Sequence, residues 1–328
     1  MIFATCPQSR DIAQAEYLLQ VETVARWSEE AGCTGILVFT DNGLLDPWIV
    51  SHAILRETST LCPLVAVQPA YMHPYAAAKM VTSFAYLYRR RVFLNMVAGG
   101  FRNDLFALSD ATPHDERYDR LVEYVEVMMR LLSTDKPVTF EGSYYSAKNL
   151  RLTPPMPPDL LPGLMVSGSS AAGLAAARAI GAIAVKYPRP PEDEQETADM
   201  LGESGVRVGI IARESAEEAW RVAYERFPED RKGQITHQLA VKVSDSRWHH
   251  QLSASRPDEG GDGDPYWLRP FQNYRTFCPY LVGSYDRVAA EVAGYLRAGF
   301  TTFILDIPAS RQELDHANEV FARARASR

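Results

Sequence analysis

Eight short apolar segments, each followed by a helical pattern, constrain the fold of this sequence more than any other feature. They are predicted as strands at Ile2–Cys6, Gly35–Phe39, Leu61–Val67, Val92–Val97, Leu164–Val166, Ile183–Lys186, Val206–Ala212 and Thr302–Leu305. Because nearly continuous apolar strands are typical of sheets buried on both faces, the pattern favours a parallel α/β fold. Eight such units predict a closed (β/α)8 TIM barrel with its active site at the C-terminal ends of the strands. An open doubly wound sheet is the alternative, although no Gly-x-Gly-x-x-Gly follows the first strand.

Two insertions interrupt this alternation, at about 137–163 and 227–276. The first contains a predicted hairpin (VTFEGSYYS) and a proline-rich connector. The second carries His249-His250 and the tract DEGGDGD. Since a long run without a clear pattern is either functional or disordered, we predict a mobile lid over the barrel, with a surface excursion as the alternative. We expect the whole chain, 1–328, to form a single domain.

Charge and hydropathy exclude two classes of partner. The net charge is −7 and the acidic and basic residues are interspersed. Without a basic stripe and interleaved aromatic residues, a nucleic-acid partner is not expected. No apolar run approaches the roughly 20 residues that span a bilayer, and no signal-peptide pattern opens the chain. We therefore expect a cytoplasmic protein that does not enter a membrane.

The cysteine and histidine patterns do not indicate a metal site. Cys6, Cys33, Cys62 and Cys278 are widely spaced and are interpreted as reduced thiols, mostly in apolar surroundings. Neither His-Glu-x-x-His nor paired Cys-x-x-Cys spacing occurs. The sequence therefore predicts that no metal takes part.

The segment GLMVSGSSAAGLAAARAIG, residues 163–181, is the strongest candidate for ligand binding. A strand runs into Ser167-Gly168-Ser169-Ser170, and an alanine-rich helix then ends at Gly181. Small residues allow a ligand to approach the backbone, and a serine caps the helix. The free N–H groups at the start of a helix favour an anion such as phosphate. A well-capped turn that binds no ligand is the alternative.

Three other polar positions lie where a barrel would place functional groups. Asn95 interrupts an apolar strand and must find a hydrogen-bond partner, either a ligand or a structural group. In HDERY, which opens a long helix, Asp115 is predicted as a helix cap, and the arginine and Tyr118 are candidates to reach a phosphate. Asp41 and Asn42 follow the second strand. Asp41 is predicted as a base or substrate ligand, or as the N-cap of the next helix.

The order of several blocks resembles a known family. The blocks are CTGILVFT, LDPW, LVAVQP, RRRVFLNMVAGG, HDERY and VSGSS. They closely resemble the bacterial luciferase-like flavin monooxygenases, and the nearest branch is the FMNH2-dependent alkanesulfonate monooxygenases. The resemblance covers nearly the whole chain. It implies a (β/α)8 barrel that uses reduced FMN and O2, a separate NAD(P)H:FMN reductase as partner, and a homodimer.

The same resemblance implies a flavin site. Its phosphate-binding residues map to Ser167, Gly168, Ser169 and Ser170, together with Tyr118. Asn95 would lie under the flavin ring. Ala98 stands where the sulfonate branch has a threonine, so one hydrogen bond to the flavin is expected to be missing.

At the substrate site the sequence departs from the sulfonate branch. Arg207 matches an arginine of the seventh strand, but Gly209 replaces a histidine and Leu44 replaces a cysteine. Tyr187 replaces a tryptophan, and Arg275 matches, within one position, an arginine of the mobile loop. We interpret this as a retained flavin site beside a rebuilt substrate site.

The predicted substrate is small and either anionic, like a sulfonate, or a secondary-metabolite intermediate. Arg207 and Arg275 are candidate anion clamps, since guanidinium pairs well with planar acids; a structural ion pair is the alternative for each. Tyr71 and Tyr187 are expected to line the pocket. Two other functions stay open: F420-dependent hydride transfer, disfavoured because the serine turn is not basic, and a non-catalytic flavin-binding relative.

Overall fold

The strands close into the predicted barrel. In the computed structural model, which describes residues 1–99, 102–194, 204–243, 252–253 and 264–327, each barrel strand differs from its predicted bounds by at most two residues. The strands are β1 (Ile2–Thr5), β2 (Gly35–Val38), β3 (Cys62–Val67), β4 (Phe93–Met96), β5 (Gly163–Ser167), β6 (Ile183–Lys186), β7 (Ser204–Arg213) and β8 (Phe300–Leu305). They pair in parallel in this order, and β8 pairs with β1 to complete a (β/α)8 TIM barrel.

Helices surround the barrel. They are α1 (Gln14–Glu30), α2 (Pro47–Glu57), α3 (Pro74–Tyr88), α4 (Arg102–Ala107), α5 (His114–Leu132), α6 (Ala171–Ala179), α7 (Ala216–Arg226), α8 (Arg231–Val243), α9 (Arg269–Gln272), α10 (Tyr285–Arg297) and α11 (Arg311–Ala326). The described residues contain no helix with the length and apolar character that a membrane crossing requires.

Two predicted helix caps are wrong. Helix α2 is capped by Asp46, which accepts hydrogen bonds from the backbone N–H groups of Trp48 and Ile49, so Asp41 is not its cap. Helix α5 begins after Pro113 without a side-chain cap. Asp115 lies within the first turn of α5 and contacts the His114 ring instead. An acidic residue in a first turn still complements the helix dipole.

The interior of the barrel is filled with side chains. One layer of buried residues comes from the inward positions of seven strands: Phe3, Leu37, Leu64, Phe93, Met165, Ile183, Val185 and Ile304. A Cβ on Gly163 would lie 2.3 Å from the Phe93 ring, so this glycine makes room for that ring. Because the interior is packed, space for a ligand is found at the C-terminal ends of the strands.

The first insertion contains the predicted hairpin. Val138–Glu141 pairs in antiparallel fashion with Ser146–Leu150, and a short 3-10 turn follows at Pro158–Leu160.

The second insertion is more ordered than its sequence indicates. It contains α8 and α9, and a short strand at Tyr266–Trp267 pairs with Tyr280–Ser284, here called the outer strand. The outer strand extends the second half of β7 in parallel, with Tyr280 opposite Gly209. His249-His250 and residues 258–263 lie outside the described residues, so the lid stays a prediction.

The four cysteines are free thiols. Cys6 and Cys278 are buried, and burial raises the pKa of both far above the usual range. They pack as small apolar side chains and have little nucleophilic character near neutral pH.

Candidate functional site

A cavity lies at the C-terminal ends of the barrel strands, where the sequence predicted the site. We call it the barrel-mouth cavity. Several of its lining residues directly follow a strand: Phe39 follows β2, Gln68 follows β3 and Tyr187 follows β6. Of the predicted site residues, the cavity brings together Asp41, Asn95, Ala98, Tyr118, Ser167, Gly168, Ser169, Ser170, Tyr187 and Arg207.

At one end of this cavity, the serine turn joins β5 to α6 and packs against Tyr118. A Cβ on Gly168 would lie 2.7 Å from the Tyr118 hydroxyl oxygen, and a Cβ on Gly173 would lie 3.2 Å from the same ring. The space left by these two glycines is therefore occupied by the Tyr118 side chain. The turn and the phenol together form one wall of the cavity.

The serine turn offers hydrogen-bonding groups that suit a phosphate. Ser170 caps α6 by accepting a hydrogen bond from Gly173 N at 3.1 Å. The Ser169 hydroxyl is buried and has no hydrogen-bond partner in the described structure. An unsatisfied buried hydroxyl costs free energy, and the adjacent start of α6 carries positive dipole character. These residues fit a phosphate-bearing cofactor.

Tyr118 is a neutral donor at this end of the cavity. Burial raises the pKa of its phenol, while a hydrogen bond with Ser170 acts in the opposite direction. The His114 ring packs edge-on against Tyr118 at a centroid distance of 5.3 Å. Because the phenol stays protonated near neutral pH, its O–H can donate to an anionic oxygen.

A second depression, the outer cleft, opens beyond Ser170 between α4 and the start of α5. Its described charged residues are Arg102, Arg117, Asp110 and Asp115. Arg117 donates from Nη1 to the Gly99 carbonyl at 2.9 Å, and Asp110 pairs with Arg120 at 2.6 Å. The two arginines of the cleft are matched by two aspartates, so the cleft does not concentrate positive charge.

Asn95 finds the partner that its burial requires. The Ser167 hydroxyl donates to Asn95 Oδ1 at 2.8 Å, and both residues line the barrel-mouth cavity. This bond joins β4 to the serine turn and sets the position of both side chains. Ala98 also lines the cavity but contributes only a methyl group, as expected from the missing threonine hydroxyl.

The candidates that follow β2 and β3 form hydrogen bonds with one another or with nearby protein groups. Asp41 lines the cavity, but its carboxylate accepts two hydrogen bonds of 2.6 Å from Arg10 and one of 2.7 Å from Gly43 N. These three contacts engage the carboxylate of Asp41 with protein donors. Tyr71 donates to Asn42 at 2.7 Å, and neither residue lines this cavity.

Arg207 enters the opposite side of the cavity from β7. Its guanidinium carbon lies 5.3 Å from the centre of the Phe39 ring. Nη1 lies 3.5 Å from the Tyr187 hydroxyl and Nη2 lies 3.9 Å from Asp306 Oδ1. Nε is buried without a hydrogen-bond partner in the described structure. Arg207 therefore retains an N–H group that no protein atom accepts from.

Gly209 and Tyr280 lie next to this side of the site but do not line the barrel-mouth cavity. A Cβ on Gly209 would lie 2.3 Å from the Tyr280 ring, so the ring fills the place of a side chain at 209. The Tyr280 hydroxyl donates to Asp306 Oδ2 at 2.8 Å. One carboxylate thus stands between Tyr280 and Arg207, and we call these three residues the Arg207 cluster.

Two further candidates lie away from the cavity. Arg275 pairs with Asp230 at 2.6 Å, and its side chain is 63% exposed. Leu44 lines a separate small groove beside Cys6. Arg275 lines a groove that also contains Asp306, but neither Arg275 nor Leu44 lines the barrel-mouth cavity with Arg207.

Sequence reasoning missed several lining residues, namely Phe39, Gln68, Asp104, His114 and Phe277, as well as Tyr280 and Asp306 of the Arg207 cluster. A signal was available for some of them. Gln68 and Asp306 are polar residues directly after an apolar strand, the place where such a barrel positions functional groups. No such signal marks Phe277, which directly follows the second insertion and lines the cavity, or Tyr280, which begins the outer strand next to Arg207.

Comparison with known proteins identifies the family to which these features correspond. The model of the luciferase-like monooxygenase family matches residues 1–302. The chain is also 36% identical over 312 residues to the 4-(gamma-L-glutamylamino)butanoyl-(BtrI acyl-carrier protein) monooxygenase BtrO of Niallia circulans. That match covers 93% of this chain and 91% of the relative.

Solved structures share the fold at low identity. Long-chain alkane monooxygenase LadA superposes with a TM-score of 0.76 at 16% identity, covering 99% of this chain and 91% of that one. An F420-dependent secondary alcohol dehydrogenase superposes with a TM-score of 0.69 at 17% identity, covering 99% and 98%. At these identities the likeness shows the fold alone.

Proposed function

The chain belongs to the luciferase-like monooxygenase family, and on that premise we propose that it is a two-component flavin monooxygenase. Reduced FMN would come from a separate NAD(P)H:FMN reductase, and O2 would be the oxidant. The observation that carries this proposal is the buried, unpartnered Ser169 hydroxyl beside Tyr118 and the start of α6.

In this proposal the serine turn holds the phosphate of FMN. Ser169 and Tyr118 donate hydrogen bonds to it, and the first turn of α6 supplies a favourable dipole. The Asn95–Ser167 pair, which lines the same cavity, would contact the flavin ring. When bound and reduced, FMN supplies the chemistry with O2. Phe39 and Phe277, whose rings lie 6.3 Å apart, limit the access of water to the cavity.

We propose that the substrate is a secondary-metabolite intermediate, an acyl group attached to an acyl-carrier protein. The support is the 36% identity to BtrO, whose name specifies such a substrate. Arg207 and Tyr187 would contact the acyl group in the barrel-mouth cavity. We also propose that two copies of the chain form a homodimer, which sedimentation analysis would test.

The balance of charge favours FMN over F420, the main alternative cofactor. F420 carries a longer acidic tail, and the outer cleft is the described space into which such a tail would extend. The cleft contains Asp110 and Asp115 beside its two arginines. A polyanionic tail would meet no excess of positive charge there, whereas the phosphate of FMN would need only the serine turn.

Fluorescence titration of the purified protein with FMN and F420, each oxidised and anaerobically reduced, tests the cofactor. We expect tight binding of reduced FMN that weakens about tenfold in Ser169→Ala, since one hydrogen bond to a charged group is lost. Ser51→Ala is a matched control, because the Ser51 hydroxyl is also buried without a partner but lies on α2. Preference for F420, or equal effects of both variants, would contradict the proposal.

Oxygen consumption with a flavin reductase and an acyl-carrier-bound substrate tests the reaction. We expect Arg207→Ala to raise KM strongly or abolish turnover while the affinity for reduced FMN stays normal. Unchanged kinetics would remove Arg207 from the site. Tight flavin binding without an oxygenated product would indicate the non-catalytic relative.

A further inference from the structure

The barrel-mouth cavity has little net positive charge despite containing an arginine. Among its described lining residues, Arg207 is the single Lys or Arg, and Asp41 and Asp104 also line the wall. Arg10 offsets the charge of Asp41 through two hydrogen bonds of 2.6 Å. Charges in such a confined space act strongly on a ligand, because the effective dielectric constant is low.

Asp306 partly offsets the charge of Arg207, since this carboxylate also interacts with Arg226. Its Oδ1 lies 3.9 Å from Arg207 Nη2, and the two side chains are 10% and 7% exposed. The Tyr280 hydroxyl holds the other carboxylate oxygen at 2.8 Å. Asp306 does not line the barrel-mouth cavity, but at 3.9 Å from the guanidinium its negative charge would still oppose an anionic ligand that approached Arg207.

The same geometry leaves the guanidinium able to donate. A separation of 3.9 Å is too long for a hydrogen bond, so Asp306 does not occupy the N–H group of Nη2. The buried Nε has no partner in the described structure. Arg207 thus has N–H groups without a protein acceptor, beside a carboxylate that partly offsets its charge.

We propose that Arg207 donates to an uncharged carbonyl oxygen of the substrate, in an amide or thioester, and that Asp306, oriented by Tyr280, is the positioning residue that disfavours carboxylates and sulfonates. The inference rests on the proposed function, because it takes the occupant of the cavity to be the substrate. It replaces the sulfonate-like substrate expected from the sequence with a neutral acyl group.

Butyramide and butyrate, which have the same number of heavy atoms and differ in charge, are suitable probes. Their binding to the full chain is measured by saturation-transfer NMR, with and without FMN. We expect wild type to prefer butyramide and Arg207→Gln to lose this binding. In Asp306→Asn we expect the ratio of affinities to shift about tenfold toward butyrate, since a unit charge beside the guanidinium is removed.

A milder pair of variants covers the case in which Asp306→Asn does not fold. Tyr280→Phe should weaken butyramide severalfold while the preference for the neutral probe persists, because the carboxylate remains but loses its orienting donor. Tyr295→Phe is the matched control, since this buried tyrosine donates one hydrogen bond to the Arg189 carbonyl at 2.7 Å and does not line the cavity. It should leave both probes unchanged.

Preference of wild type for butyrate, an unchanged ratio in folded Asp306→Asn, or no binding of butyramide at millimolar concentration would each overturn the inference. These probes need neither flavin nor oxygen. A failure of FMN binding would therefore count against the proposed function without altering this result. A failure of butyramide binding would count against this inference without altering the flavin titration.

Discussion

At the scale of single residues, Gly168 and Tyr118 share one small volume at the serine turn. The phenol oxygen lies 2.7 Å from the place that a Cβ on Gly168 would take. The next ring atom is 3.6 Å from that place, an ordinary van der Waals distance. A Cβ at position 168 would therefore clash with the Tyr118 hydroxyl but not with its ring. Removal of the hydroxyl by mutation should remove the clash.

Gly168→Ala should lower the free energy of unfolding by about 1–3 kcal/mol, the usual cost of an overpacked site. In a Tyr118→Phe background the same change should cost much less, because the clashing oxygen is gone. A double-mutant cycle by urea denaturation measures this coupling. Strictly additive effects would show that the two side chains do not meet.

Asp110 should stabilise the fold in a pH-dependent manner. Burial alone would raise the pKa of this carboxyl, but hydrogen bonds from Arg120 and Thr112 lower it from 3.8 to about 2. A lowered pKa means that the stabilisation is present above the ordinary pKa and is lost as the pH falls toward 2. We expect Asp110→Asn to cost about 1–2 kcal/mol at pH 7.

The measurement for Asp110 is urea denaturation of both proteins across the acidic range. The difference in unfolding free energy should shrink between pH 4 and 2, as the wild-type carboxylate becomes protonated. A difference that stays constant with pH would mean that the Arg120 contact does not stabilise the charged form.

Residue identities at the site were partly predictable. Asn95 and the serines follow from local pattern, because a polar residue in a buried strand and small residues at a helix start each carry a physical requirement. The partner of Asp41 was not predictable, since Arg10 lies 31 residues away and local spacing contains no information about that pair.

At the scale of elements, α6 links structural stability with ligand binding through its first residues. Ser170 caps this helix as Ser215 caps α7: each side chain accepts a hydrogen bond from the backbone N–H three residues later. The two caps have the same geometry, but only the α6 cap lines the barrel-mouth cavity. Comparison of Ser170 with Ser215 therefore separates the contribution of a cap to stability from its contribution to ligand binding.

Ser170→Ala and Ser215→Ala should each reduce the unfolding free energy by about 1 kcal/mol, the typical value of an N-cap. Ser170→Ala alone should also weaken the binding of reduced FMN, because the start of α6 is part of the proposed phosphate site. Thermal denaturation and flavin titration on both variants measure these effects. Equal loss of flavin affinity in both would argue against the serine turn as the binding site.

Helices and strands were predictable where the spacing of apolar residues along the sequence dictated them. The barrel strands and long helices have clear apolar patterns. The outer strand was missed because its apolar run directly precedes α10, and its pairing depends on the second half of β7. Helix α8 was missed because it lies within the second insertion, which was interpreted as one long segment without a clear pattern.

At the scale of the whole molecule, closure of the barrel makes the last helix important to the first strand. Helix α11 packs Phe321 against Phe303 of β8 at a centroid distance of 5.0 Å, and β8 pairs directly with β1. The two ends of the chain thus support the same part of the core. The barrel class followed from counting strands, whereas these contacts depend on tertiary packing.

Phe321→Ala should cost about 3–5 kcal/mol, as is usual for truncation of a buried aromatic side chain. Tyr86→Ala is the control, since Tyr86 is 70% exposed and a surface change is expected to stay within about 0.5 kcal/mol. Urea denaturation followed by circular dichroism measures both. A small effect at Phe321 would mean that α11 contributes little to barrel closure.

The contact between Gly209 and Tyr280 also restricts how this protein can change over evolutionary time. A lineage that acquired a histidine at 209 while it retained the tyrosine would force a Cβ to within 2.3 Å of a buried ring. The ring at 280 would have to be lost first, at the cost of the Asp306 hydrogen bond. Exchange between a glycine and a histidine version of this site therefore passes through a destabilised ancestor, and the order of the two substitutions is fixed.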